Sequence, residues 1–114
     1  MNLTEKRQEQ VIIISIDGRL DTTNYQQLES RILHHLHQNH TTLVIDCSGM
    51  DYVSSAGLRI FLVALKKLNA AGGQLALCAL RENIKEIFDI SGFTGIFKIY
   101  TDQQQALQAL GQEA

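Results

Sequence analysis

The segment that decides the fold lies near the middle of the chain and reads Leu43-Val44-Ile45-Asp46-Cys47-Ser48-Gly49-Met50-Asp51-Tyr52-Val53-Ser54-Ser55-Ala56-Gly57-Leu58. Its first five residues form a short apolar run, which is typical of a strand inside a sheet. Residues 48–51 are expected to turn the chain. Residues 56–68 are apolar on most sides, which predicts a largely buried helix. The side chains expected in the core from this helix are Phe61, Leu62 and Leu65.

Towards the N-terminus the sequence predicts two strands and a helix. Residues 11–16 are rich in β-branched side chains and are expected to form a strand that ends at Asp17-Gly18, with a weaker partner strand around Leu3. Apolar residues then recur at helical spacing at Tyr25, Leu28, Ile32 and Leu36. Thr23, with Gln26 three places later, is the predicted capping box of this helix.

Towards the C-terminus the alternation continues. Gly72-Gly73 is expected to end the buried helix before a strand at residues 74–78. A third helix carries Ile84, Ile87 and Phe88 on one face, and Gly92 is predicted to stop it so that Phe93 packs back on Phe88. Residues 96–100 read as a short strand, and Asp102 as the N-cap of a closing helix. The apolar stripe of that helix is Ala106, Leu107, Ala109 and Leu110.

Strands and helices that alternate through short connections predict an α/β fold. We therefore expect residues 1–114 to form one domain, with a mixed, mostly parallel sheet packed against about four helices. Cys47 and Cys78 each close a predicted strand and are expected to be buried, reduced thiols.

Composition excludes several classes of partner. The chain has 114 residues, of which 45% are hydrophobic, and a formal net charge of −2. Such a chain lacks the basic surface with which proteins bind nucleic acid or anionic lipid, so neither nucleic acid nor membrane is an expected partner. No apolar run approaches the roughly 18 residues of a membrane span, and the polar residues 1–7 do not resemble a signal peptide. We expect a cytoplasmic protein.

Common catalytic spacings are missing. The sequence has no Gly-rich phosphate loop ending in Gly-Lys-Ser/Thr, no G-x-G-x-x-G after a strand, no H-E-x-x-H and no C-x-x-C. Ser55 is not expected to be an esterase nucleophile, because the elbow motif needs glycine two places before and after the serine and Val53 occupies the first of these positions. The sequence therefore predicts a protein that is not an enzyme and needs no cofactor.

Four histidines cluster near the end of the first predicted helix, at His34, His35, His37 and His40. Pairs three apart on a helix can face a common metal ion, but no carboxylate or thiol joins them in sequence. The interpretation we favour places the imidazoles on an exposed last turn, where a partly protonated ring interacts well with the negative helix pole. No metal site is expected.

Ser54 and Ser55 stand where a strand-end loop becomes a buried helix, and two interpretations remain open. Serine is a favoured N-cap, so both hydroxyls can be purely structural. The same geometry also suits a switch, because first-turn N–H groups and the positive helix pole stabilise a phosphoryl group on Ser55.

These motifs together resemble the STAS domain family, which includes bacterial anti-sigma factor antagonists and the cytoplasmic tails of sulfate transporters. The resemblance spans nearly the whole chain. It rests on residues 18–21, on residues 43–48, on Met50-Asp51-Tyr52-Val53-Ser54-Ser55-Ala56-Gly57-Leu58, and on Gly72-Gly73-Gln74-Leu75.

The resemblance implies a phosphorylation-gated binding protein. Antagonists of this family bind a serine kinase anti-sigma factor, are phosphorylated by it on a serine before the second long helix, and are restored by a PP2C-type phosphatase. That serine is Ser55 here, although Ser54 stands where many relatives have aspartate. The implied partner-binding residues are Asp21, Thr22, Ser54, Ser55, Gly57 and Leu58. The alternative is a STAS scaffold domain of a transport or sensory complex that is not phosphorylated.

Overall fold

A computed structural model describes residues 1–111, in which five strands form one sheet. The elements in chain order are β1 (Asn2–Gln8), β2 (Val11–Leu20), α1 (Tyr25–His37), β3 (Thr42–Val53), α2 (Ser55–Ala70), β4 (Gln74–Cys78), α3 (Glu82–Ile90), a 3₁₀ turn (Phe93–Gly95), β5 (Lys98–Tyr100) and α4 (Gln103–Ala109).

The sheet has the order β1-β2-β3-β4-β5. The pair β1 and β2 is antiparallel, and the three pairs that follow along the sheet are parallel. A helix connects the two strands of each parallel pair. The predicted α/β fold with a mixed, mostly parallel sheet is confirmed, and so is the weak partner strand around Leu3.

Both faces of the central strands are covered, which explains why those strands are apolar throughout. Alternate residues Ile12, Ile14 and Ile16 pack in a core with side chains of α1, α2 and α3. Val11 and Ile13 face the other way and pack in a smaller core with α4.

The expected strand end at Asp17-Gly18 and the expected turn at residues 48–51 are both wrong. The pair β2 and β3 continues to Leu20 and Val53, with register shifts between Ser15 and Asp17 and between Gly18 and Arg19. Gly18 has φ +100, a conformation that glycine adopts readily. The glycines therefore mark irregularities inside two long strands rather than their ends.

Three further sequence predictions are corrected. The N-cap of α1 is Asn24 instead of Thr23, and its side chain makes no capping bond. Leu62 and Leu65 are only half-buried, whereas Phe61 is fully buried, because α2 turns its Gly57, Ile60, Phe61, Ala64 and Leu68 face to the sheet. Ala109 is exposed, although Ala106, Leu107 and Leu110 are buried as expected.

Other terminal signals are confirmed. Asp102 caps α4 by accepting a hydrogen bond from the N–H of Gln105 at 2.9 Å. Gly92 ends α3 with φ +77, and the Phe93 and Phe88 rings pack 5.7 Å apart between centroids. Cys47 and Cys78 are free and buried, as expected.

The predicted limits of the last strand are corrected. This strand begins at Lys98 rather than at position 96, because the 3₁₀ turn precedes it.

Candidate functional site

The ends of β2 and β3 bring the predicted site residues to one edge of the sheet. Leu20 pairs with Val53 in the last register position of this strand pair. The N–H of Ser54 then donates to the carbonyl oxygen of Leu20 at 2.9 Å. Because Asp21 and Ser55 directly follow these two residues, the turn after β2 and the start of α2 form one continuous surface.

Ser54 is the N-cap of α2. It has extended backbone angles, φ −90 and ψ 174, and its Oγ accepts a hydrogen bond from the N–H of Gly57 at 3.3 Å. This bond satisfies one of the donors that every helix start leaves without a partner. The capping role considered for both serines therefore belongs to Ser54.

Ser55 is the first residue of α2, and it is exposed. Within residues 1–111 its hydroxyl has no hydrogen bond to another protein group. The Ser55 side chain is therefore accessible from solvent, whereas the Oγ of Ser54 caps the helix.

Gly57 and Leu58 lie below this surface. Gly57 is buried, and a Cβ atom built on it would lie 2.8 Å from Val53 Cγ2 and 2.9 Å from Leu20 Cγ. Glycine at this position lets the first turn of α2 lie against the ends of β2 and β3. Leu58 is half-buried and packs on the main core. The structure thus gives both residues a packing role at the base of the site.

Asp21 is held in place by the turn that it begins. Its Oδ1 accepts hydrogen bonds from the N–H of Thr23 at 2.9 Å and from the Thr23 hydroxyl at 2.6 Å. These contacts lower the pKa of the Asp21 carboxyl below its usual value. The bond from the Thr23 hydroxyl has the largest effect, followed by the bond from the Thr23 N–H and then by Arg19. Asp21 is therefore a fixed negative charge beside the start of α2.

Two residues that sequence reasoning missed support this turn. Asn24 accepts from the N–H of Asp21 at 2.9 Å and donates to the carbonyl oxygen of Arg19 at 2.8 Å. The guanidinium of Arg19 lies 3.9 Å from the centre of the Tyr52 ring on the adjacent strand, and its Nε lies 3.5 Å from Asp21 Oδ2. An asparagine just before a helix is a sequence signal for such a turn, but the Arg19–Tyr52 contact depends on the pairing of β2 with β3.

A groove of about 340 Å³ lies beside the start of α2, between that helix and α1. Thr22 and Ala56 line it at the end where Ser55 stands, and Arg59 and Glu29 provide opposite charges along its length. The remaining lining residues are Tyr25, Ile60 and Val63. A concave surface of mixed polarity next to an exposed serine suits protein docking.

Two absences hold for the part of the chain that the structure describes. In residues 1–111 no three side chains of histidine, cysteine, aspartate or glutamate converge as metal ligands. None of the helices there has the length and apolar character to cross a membrane.

Known proteins are similar to this chain in sequence. BtrV of Bordetella bronchiseptica, named as an anti-sigma factor antagonist, is 34% identical over 109 residues, which are 96% of this chain and 94% of BtrV. The anti-sigma-B factor antagonist of Bacillus subtilis is 28% identical over 108 residues, covering 95% and 98% of the two chains.

The fold is shared with a solved structure from Thermotoga maritima, described as an anti-sigma factor antagonist. Its TM-score is 0.91 at 19% identity, over 95% of this chain and 93% of the other. A family model for the STAS domain matches residues 2–106, which include every element up to the first residues of α4. The chain belongs to the STAS domain family.

Proposed function

We propose that the protein is an anti-sigma factor antagonist that binds a serine kinase anti-sigma factor while Ser55 is unphosphorylated and releases it when Ser55 is phosphorylated. In this proposal it is a cytoplasmic binding protein with no catalytic activity of its own. The names of the two relatives support this class and favour it over the scaffold alternative.

The observation that carries the proposal is the different use of two adjacent hydroxyls. Ser54 Oγ accepts the capping hydrogen bond, whereas Ser55 is exposed at the first position of the helix. Aspartate and serine are both favoured N-caps, so Ser54 provides the cap that the usual aspartate of this family would provide. A serine cap at position 54 therefore supports the proposal that Ser55 is the counterpart of the family's phosphoserine.

Phosphorylation acts through charge in this proposal. A phosphoryl group adds about −1.5 to −2 charges at neutral pH. The first-turn N–H groups accommodate such a group without unfolding the helix. A partner that closes over it must instead bury a dianion beside Asp21. An uncompensated charge in an interface costs about 2 to 5 kcal/mol, which exceeds the roughly 1 kcal/mol that the helix pole returns.

The proposed docking surface consists of Asp21, Thr22, Ser54 and Ser55, with the adjoining groove, and Gly57 and Leu58 support it from below. A PP2C-type phosphatase restores the free form by removing the phosphate from Ser55.

Phosphosite mapping tests the assignment. The protein is incubated with the serine kinase anti-sigma factor of the same organism and ATP, and the modified residue is identified by mass spectrometry. We expect one phosphate on Ser55, none on the Ser55→Ala variant, and one phosphate, again on Ser55, in the Ser54→Ala variant. Labelling of Ser54 alone would contradict the proposal.

A further inference from the structure

Two histidines are held side by side at the C-terminal end of α1, the opposite end of that helix from the serine site. The helix ends in a Schellman motif: the N–H of His40 donates to the carbonyl oxygen of His35 at 2.8 Å, and the N–H of Asn39 to that of Leu36 at 3.0 Å. Asn39 takes the left-handed conformation, φ 61, that this motif requires. In this motif the third-last residue of the helix lies next to the second residue after the C-cap. Here these two residues are His35 and His40.

The imidazole of His35 is fixed by β1. His35 is only 6% exposed, and its Nε2 lies 2.8 Å from Oε1 of Glu5. Arg31 also binds the Glu5 carboxylate, with its Nη2 donating to Oε1 at 3.0 Å. A carboxylate accepts hydrogen bonds, so in the tautomer of His35 that donates Nε2–H to Glu5 the lone pair of Nδ1 faces His40.

The separation of the two remaining ring nitrogens matches a metal chelate. Nδ1 of His35 and Nδ1 of His40 are 3.3 Å apart, a hydrogen-bond distance in which a proton on one nitrogen bridges the pair. A metal ion would take the place of that proton once His40 carries its proton on Nε2. Two nitrogens bound to tetrahedral Zn²⁺ at about 2.0 to 2.1 Å are separated by about 3.3 to 3.4 Å. A carboxylate that holds the other ring nitrogen of a ligating histidine is the usual outer support of such sites.

We propose that His35 and His40 form a binding site for a divalent transition metal ion that prefers imidazole, such as Zn²⁺, with Glu5 as the positioning residue for His35. The ion would lie between the two Nδ1 atoms and join the end of α1 to the turn that follows it. Water would complete the coordination, since no third protein ligand converges within residues 1–111.

Neighbouring charges set the strength of this site. Arg7 places positive charge near His40, which opposes a cation, while Glu5 is already paired with Arg31. We therefore expect dissociation constants in the micromolar range rather than the tighter binding of sites with four protein ligands. This inference is independent of the proposed regulation at Ser55.

Calorimetric titration of the tag-free protein with Zn²⁺ tests the site, and NMR of the histidine ring nitrogens identifies the ligands. We expect one ion per chain, shifts at Nδ1 of His35 and His40, and no binding of Mg²⁺. The His40→Gln variant is expected to lose affinity at least about tenfold, and Glu5→Gln about 10-fold to 100-fold.

His37→Gln is the matched control, because His37 is an exposed histidine of the same helix end. It is expected to leave Zn²⁺ affinity unchanged. Thermal unfolding without metal establishes that each variant is folded before titration. The absence of saturable micromolar binding, or an equal loss in the His37→Gln and His40→Gln variants, would overturn the proposal.

Discussion

At the residue scale, the site is defined by two neighbouring serines with different helix positions. An N-cap residue has extended backbone angles that turn its side chain back over the first helical N–H groups, and Ser54 has this geometry. The next residue, Ser55, is the first residue of the helix and is exposed. Two adjacent and chemically identical side chains therefore differ in helix capping and in exposure.

Substitution of the two serines is expected to separate these roles. Ser54→Ala removes the bond to the Gly57 N–H and should lower the free energy of unfolding by about 1 kcal/mol. Ser55→Ala should change it by less than about 0.5 kcal/mol, because the residue is exposed. Ser54→Asp should retain stability, since aspartate also caps. Urea denaturation measures all three, and a larger loss for Ser55→Ala than for Ser54→Ala would contradict the assignment.

Asp21 is expected to contribute charge to the docking surface rather than stability to the fold. Asp21→Asn keeps an oxygen that can accept from Thr23, so the turn is preserved while the negative charge is lost. We expect weaker binding of the anti-sigma factor with an unchanged melting temperature. Glu86→Gln, an exposed charge change on α3, serves as the control for binding. Parallel losses of binding and of stability would assign Asp21 a structural role instead.

At the scale of elements, α2 is positioned by close contact with the ends of two strands. A Cβ on Gly57 would come within 3.0 Å of Val53 and of Leu20, and both contacted side chains are buried. Neither neighbour has space to move away, so glycine is required here for packing. The close contact also fixes Ser54 and Ser55 relative to Asp21.

Gly57→Ala is therefore expected to destabilise the protein by about 1 to 3 kcal/mol, the usual cost of overpacking. Gly95→Ala is the control, because a Cβ added at Gly95 would have no neighbouring atom within 4 Å. Its effect should be close to zero. Chemical denaturation compares the two, and equal stability of both variants would show that α2 shifts without cost.

The sequence pattern was sufficient to predict the elements but not all of their limits. Strand and helix order follows from β-branched runs, helical spacing and the Gly72-Gly73 stop, all of which depend on local residues. The continuation of β2 and β3 past Gly18 and Gly49 depends on pairing between strands, which no local signal reports. The spacing of apolar residues also did not identify the buried face of α2, because that helix is apolar on most sides. In the sequence, half-buried Leu62 is as apolar as buried Phe61 and cannot be distinguished from it.

The candidate site was predicted to a similar extent. The order of strand, serine pair and helix indicated that Ser54 and Ser55 stand at a strand-end edge, and Asp21 lies at the same edge. The stacking of Arg19 on Tyr52 joins residues 33 positions apart, since 52 − 19 = 33, and follows only from the register of β2 and β3. Burial of His35 was likewise missed, because Glu5, its partner on β1, is distant in sequence.

At the scale of the molecule, the sheet separates two cores, and the cysteines lie one in each. Cys47 belongs to the core with α1, α2 and α3, and Cys78 to the core with α4. The two thiols thus face opposite sides of the sheet and are not expected to form a disulfide on oxidation. Burial raises the pKa of the Cys47 thiol. Burial and, after it, the negative charges of Asp46 and Asp102 raise the pKa of the Cys78 thiol to about 12.

Thiol labelling is therefore expected to report unfolding of the whole domain. With their pKa values raised, both thiols remain protonated at pH 8, where an exposed cysteine of pKa about 8.5 is partly thiolate. Iodoacetamide at this pH should label neither cysteine in the native protein and both in denaturant. Rapid labelling of either thiol under native conditions would show that its core opens locally.

One affinity measurement tests whether phosphorylation of Ser55 releases the partner. Phosphoserine is installed at position 55 by genetic encoding, and binding to the isolated anti-sigma factor is compared with that of the unmodified protein. An uncompensated interface charge costing about 2 to 5 kcal/mol predicts affinity lower by about 30-fold to several thousand-fold, with the melting temperature nearly unchanged. Equal affinity of the two forms would contradict the account.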